Sequence, residues 1–185
     1  FAGVQQSAAG AIRSKTIVQE LEDMLDNNQE AADFVAGYPE RDNYIDQPID
    51  LSEDFEPGTV PFLMQWDKRW GYDAYGDSII GLSGCGPTCL TMAYLYFTQD
   101  TSVNPRTMAE YAYDNGYYTA EGTSWSLWTE GAEALGLQGE VLPLDENSME
   151  KVLDGGGLIV CSMRPGDFTT TGHFILIKGY DDKGF

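Results

Sequence analysis

From Ser14 to about Val35 apolar positions recur at helical spacing. Ile17, Leu21, Met24 and Leu25 share one face and glutamates and aspartates take the others, which predicts a single amphipathic helix. Between Gly37 and Gly58 that periodicity is lost. The stretch is acidic and interrupted by Pro39, Pro48 and Pro57, so it reads as a linker or an extended wrap. This divides the chain into residues 1–59, a helix with an acidic linker, and residues 60–185, the compact domain. Val60-Pro61-Phe62-Leu63-Met64-Gln65 predicts a short extended segment entering an aromatic cluster of Trp66, Trp70, Tyr72 and Tyr75.

An apolar helix follows Cys85 and carries Cys89, Leu90, Ala93, Tyr94 and Phe97. Asn104-Pro105 opens another, through Met108, Ala109 and Tyr111 to Tyr113, ending near Gly116. Thr123-Ser124 opens a third, with Trp125, Trp128, Ala132 and Leu135 apolar and Gly136 at its end. Val141-Leu142 predicts a strand, and Asp145 caps a short helix carrying Met149, Val152 and Leu153 ahead of Gly155-Gly156-Gly157. Leu158 to Cys161 and His173 to Ile177 predict strands, with a polar loop from Arg164 to Gly172 between them and Asp181-Asp182 in a closing turn. Helices come first and strands later, an α+β order.

Composition narrows the function classes. A chain of 185 residues can hold one domain with a proper core and an appendage. Its net charge of −20, from 30 acidic and 10 basic side chains, argues against nucleic acid and anionic lipid as partners, because both need lysine or arginine opposite phosphate. No apolar run is long enough to span a membrane. The chain opens at Phe1 without a methionine, and is expected to be a processed protein or a fragment. Its three cysteines have neither a disulfide framework nor zinc-knuckle spacing. A metal set of Cys85, Cys161 and His173 lacks closely paired ligands, and the glycine run at 155–157 lacks the lysine of a phosphate loop. No cofactor is expected.

The chemistry concentrates at Ser83-Gly84-Cys85-Gly86-Pro87-Thr88, where a loop turns into the apolar helix. A thiol at a helix N-terminus beside a histidine forms the thiolate that attacks carbonyls. Gly86 would let the backbone approach a substrate carbonyl, and Pro87 suits a first helical turn because its missing N–H costs nothing there. His173, the chain's only histidine, opens a strand after Thr171-Gly172 and is the one imidazole able to act as base. Each residue has a plainer use: free cysteines are mostly core, and a single histidine is commonly a packed or surface residue. Cys89, inside an apolar stripe, and Cys161, after Leu158-Ile159-Val160, read as packing. Gln65 reads either as a donor to an oxyanion, with the backbone N–H of Cys85, or as an exposed polar neighbour of Trp66. Asp181 and Asp182 stand at the far end of a hairpin, about 25 Å from His173 at ~3.3 Å per residue, so the group orienting the imidazole is expected beyond Phe185.

Three segments carry a resemblance. Val60-Pro61-Phe62-Leu63-Met64-Gln65-Trp66-Asp67-Lys68-Arg69-Trp70, Gly84-Cys85-Gly86-Pro87-Thr88, and Gly172-His173-Phe174 with Gly179-Tyr180-Asp181-Asp182 resemble the bacterial papain-like cysteine peptidases related to the double-glycine-leader (bacteriocin-processing) peptidases, especially their secreted relatives. The resemblance implies a papain-like α+β fold, its nucleophile helix packed on an antiparallel sheet that carries the histidine. It implies Cys85 as nucleophile, His173 as general base and acid, and Gln65 as oxyanion donor. The substrate would be a peptide or protein, cell-wall peptide included, and the site of action outside the cell or at its surface. Peptidoglycan amidases and endopeptidases of related families usually place aspartate or asparagine before the cysteine, where this chain has Gly84. A catalytically silent papain-like binding or surface module is the reading from another class. The N-terminal helix and acidic segment lie outside the resemblance, as a stalk, a propeptide-like cover or a lid.

Overall fold

Thr16 starts the first helix by a reciprocal cap: its hydroxyl accepts from the Gln19 N–H at 3.3 Å, and Gln19 Oε1 accepts from the Thr16 N–H at 2.8 Å. The computed structural model describes residues 15–120, 122–166 and 172–185; Ser14, Thr171 and most of the loop predicted before His173 lie outside them. Helix α1 (Ile17–Asn27) is shorter than its periodicity predicts. Asn28 turns extended and its side chain accepts from the Glu30 N–H at 3.1 Å, opening a 3-10 turn and then α2 (Ala32–Gly37). A short amide competing for backbone donors ends the helix there, although the apolar spacing continues. The break lets Leu21 of α1 and Phe34 of α2 meet Tyr72 and Ile79 in one buried patch.

The acidic segment after a second 3-10 stretch, Tyr38–Asn43, lies against the body. Leu51 is buried in the main core. Arg69 grips Asp54 through both terminal nitrogens, at 2.6 and 3.0 Å, and reaches Asp67 at 2.7 Å. Arg106 joins buried Asp73 at 2.6 Å and the Gln47 carbonyl oxygen at 2.6 Å.

Two elements that no periodicity announces come next: β1 (Ala74–Tyr75) and β2 (Ser78–Ile79), an antiparallel pair turned at Gly76, whose φ of 64° suits glycine. Then come α3 (Ile80–Ser83), α4 (Cys85–Thr98) and α5 (Pro105–Asp114), the last two as expected from the sequence. A second unexpected hairpin, β3 (Tyr118–Thr119) with β4 (Gly122–Thr123), precedes a 3-10 turn at Trp125–Trp128 and α6 (Glu130–Ala134). The single helix predicted from Ser124 is therefore two pieces, broken at Thr129. In the tighter turn residues three apart eclipse, which sets both Trp125 and Trp128 against Phe174. Val141-Leu142 is not a strand: Val141 is 90% exposed and pairs with no neighbour, and a lone extended segment has no ladder to hold it.

Asp145 caps α7 (Glu146–Asp154) as expected, accepting from the Ser148 N–H at 3.0 Å. The strands β5 (Ile159–Met163) and β6 (His173–Ile177) pair antiparallel, in a register running from Ile159 opposite Ile177 to Met163 opposite His173. Helix α4 packs between α5 and β6 over a core that includes Trp70, Tyr75, Leu90, Leu95 and Met108. Helices with small antiparallel sheets make this an α+β fold. Among the described residues no helix is long and apolar enough to cross a membrane.

Candidate active site

Cys85 is the first residue of α4, and Gly84 before it offers no capping side chain. The first N–H groups of a helix have no carbonyl partner within it. Here the backbone N–H groups of Phe174 from β6, then of Gly86 and Cys85, act to lower the Cys85 pKa. Pro87 adds no unpaired donor at this end. One turn on, buried Cys89 donates its thiol to the Phe174 carbonyl oxygen at 3.6 Å. Residues four apart share a helix face, so Cys85 stands on the side of α4 that Cys89 turns toward β6.

That packing brings the strand of His173 to the start of α4. His173 is the residue before Phe174, half-buried, and paired across the sheet with Met163. The Phe174 ring packs on Trp128 and Trp125, with centroids 5.1 and 6.2 Å away. Successive strand side chains point to opposite faces, so the His173 ring lies on the other side from these indoles. Among the described residues no hydrogen bond joins the Cys85 thiol to the imidazole, and none orients the imidazole.

Burial dominates the electrostatics. It pushes the Cys85 thiol above its ordinary pKa, outweighing the donors from Phe174, Gly86 and Cys85 that favour the thiolate. Burial also lowers the His173 pKa. Both shifts favour the neutral form, of the thiol and of the imidazole. Burial likewise pushes Cys89 and Cys161 up.

Gln65 is buried beside this loop, with Nε2 donating to the carbonyl oxygens of Ile80 and Gly81, each at 3.0 Å. The opposite amide orientation would set Oε1 against those two oxygens, so the geometry defines the assignment. Both amide hydrogens thus hold α3, whose last turn closes through Gly84 N–H to Ile80 O at 2.7 Å, immediately before Cys85. Gln65 is near the site, and its donors are occupied.

The sequence reading of Gly86 also changes. A Cβ there would stand 2.7 Å from Cγ2 and Oγ1 of Thr123, so the missing side chain makes room for β4 rather than for a substrate. Thr123 Oγ1 lies 2.8 Å from the Tyr75 hydroxyl, and burial pushes that phenol up to about 12. Thr123, Tyr75 and the backbone of Phe174 are the site neighbours that sequence reasoning missed. Nothing local marks them, because tertiary packing alone brings β1, β4 and β6 to the start of α4. Among the described residues no three histidine, cysteine or acidic side chains converge on a metal position.

A model of the Peptidase C39 like family matches residues 58–185, from just before the extended segment to the end of the chain. No curated protein and no solved structure matches the chain.

Proposed function

Because the chain belongs to the peptidase C39-like family, we propose that it is a cysteine peptidase in which the Cys85 sulfur attacks a peptide carbonyl carbon. With burial favouring the neutral thiol and imidazole, proton transfer from Sγ to His173 accompanies the formation of the carbon–sulfur bond. The protonated imidazole then gives that proton to the leaving amine as the carbon–nitrogen bond breaks. Water, deprotonated by His173, opens the thioester, and the proton returns to sulfur. The Cys85 N–H serves the developing oxyanion, joined by Gln65 once one of its N–H groups exchanges Ile80 or Gly81 for substrate. The fold is read as papain-like, α4 being the nucleophile helix and β6 the strand that carries the histidine. Peptides or proteins outside the cell or at its surface, cell-wall peptides among them, are the proposed substrates.

The observation that carries this reading is the packing of α4 on β6, where the Cys89 thiol, one turn after Cys85, donates at 3.6 Å to the carbonyl oxygen of Phe174, the residue after His173. One observation favours a catalytically silent module instead: both Gln65 N–H donors are engaged by the carbonyl oxygens of Ile80 and Gly81. Iodoacetamide at pH 7, followed by peptide mass spectrometry, decides between them. A peptidase should alkylate at Cys85 well ahead of Cys161, and His173→Ala should slow Cys85 roughly tenfold or more by removing its base. Equal rates at Cys85 and Cys161 would leave the silent module standing.

A further inference from the structure

The helices before the family match are built into the element that presents the nucleophile. Phe34 of α2 is 2% exposed, and its ring stacks on Tyr72 with centroids 4.4 Å apart and planes 12° from parallel. The Phe34 carbonyl oxygen accepts from the Tyr72 hydroxyl at 2.6 Å, and Asp33 beside it pairs with Lys68 at 2.6 Å. The ring occupies a slot that only glycines permit. A Cβ at Gly71 would fall 2.6 Å from Phe34 Cε2, and one at Gly81 would fall 2.4 Å from Phe34 Cζ. Those glycines are joined to each other, Gly81 N–H donating to Gly71 O at 2.8 Å. Gly81 belongs to α3, whose carbonyl oxygens hold Gln65 and whose end is the Gly84 cap of Cys85.

We propose that Phe34 is a positioning residue for Cys85: its ring, wedged between Gly71 and Gly81, sets the placement of α3 and thereby of Gln65 and the helix start that carries the sulfur. The inference rests on Cys85 being the nucleophile of the proposed peptidase. It makes residues 15–46 a fixed support of the site, in place of a stalk or a detachable cover. Displacing the ring shifts α3, and the shift is felt at Cys85, whose backbone N–H donors depend on where α4 begins.

The test uses the full chain with Phe34→Leu, Gly81→Ala and the double variant, reading the pH–rate profile of iodoacetamide alkylation separately at Cys85, Cys161 and buried Cys89. Cys89 reports opening of the structure, since it is 5% exposed. The expected result is a change of roughly fivefold or more in the Cys85 rate, with a displaced pH midpoint, while Cys89 stays protected. Gly81→Ala, which drives a methyl into the ring, should be partly rescued by Phe34→Leu. If both single variants melt at lower temperature yet leave the Cys85 profile unchanged, Phe34 is structural and the proposal is overturned. Cys85 and Cys89 becoming reactive together would overturn it equally, as unfolding. Should the unsubstituted Cys85 react no faster than Cys161, the peptidase reading falls first and takes this one with it.

Discussion

At the scale of single residues, the space around Cys85 is set by close packing of side chains from distant segments. Gly86 exists because Thr123 presses on it, and Thr123 is held by Tyr75. Gly86→Ala is expected to cost about 1–3 kcal/mol, as overpacking does, seen as a lower urea midpoint at unchanged slope. Thr123→Gly in the same chain should recover part of the loss, because the added methyl then meets empty space. The candidate nucleophile and base were legible in the sequence: glycines and a proline around a thiol at a helix start, and one imidazole before an apolar strand. The ionisation of the pair was not legible, since it follows from how deeply folding buries both groups.

Among elements, those read correctly are those whose signals are local. Asn104 accepts from the N–H groups of Arg106 and Thr107 at 3.1 and 3.2 Å, and Pro105 follows it, so α5 begins where the sequence says. Asn104→Ala should cost about 1 kcal/mol and lower the melting temperature by several degrees, measurable by circular dichroism. The loss should appear as destabilisation of the whole domain, because α5 packs on α4 and Arg106 at its start holds Asp73. The failures have the opposite character. The helix predicted through Asn28 and the one predicted through Thr129 are periodic in apolar residues, yet each breaks where the chain must redirect a face toward a partner. The hairpins β1–β2 and β3–β4 have strands of two residues each, too short for any alternation to show.

For the whole molecule, the charged state of the site is coupled to folding. His173 has a lowered pKa in the folded protein, so the unfolded chain binds a proton first as the medium is acidified. Stability should therefore decline as pH falls from the unfolded imidazole value of ~6.5 through the lower folded one, by at most about 1.4 kcal/mol per pH unit from this group. His173→Gln should flatten that part of a urea-midpoint-against-pH curve; an unchanged slope would show that the imidazole is not buried as described. Cys85 and Cys89 are raised, so their contribution is fully present below the unfolded thiol value of ~8.5 and is lost as pH rises through the folded ones. The sequence by itself determined the α+β order, the start of α4, the ends of α5 and α7, the strand of His173 and the two residues offered as nucleophile and base, because caps, turns and apolar runs act over a few neighbouring positions. Only the tertiary structure decided that Phe34 fills a glycine slot under α3, that Gln65 has its donors engaged, and that the neutral thiol and imidazole are favoured, because burial and contact between distant segments arise from packing.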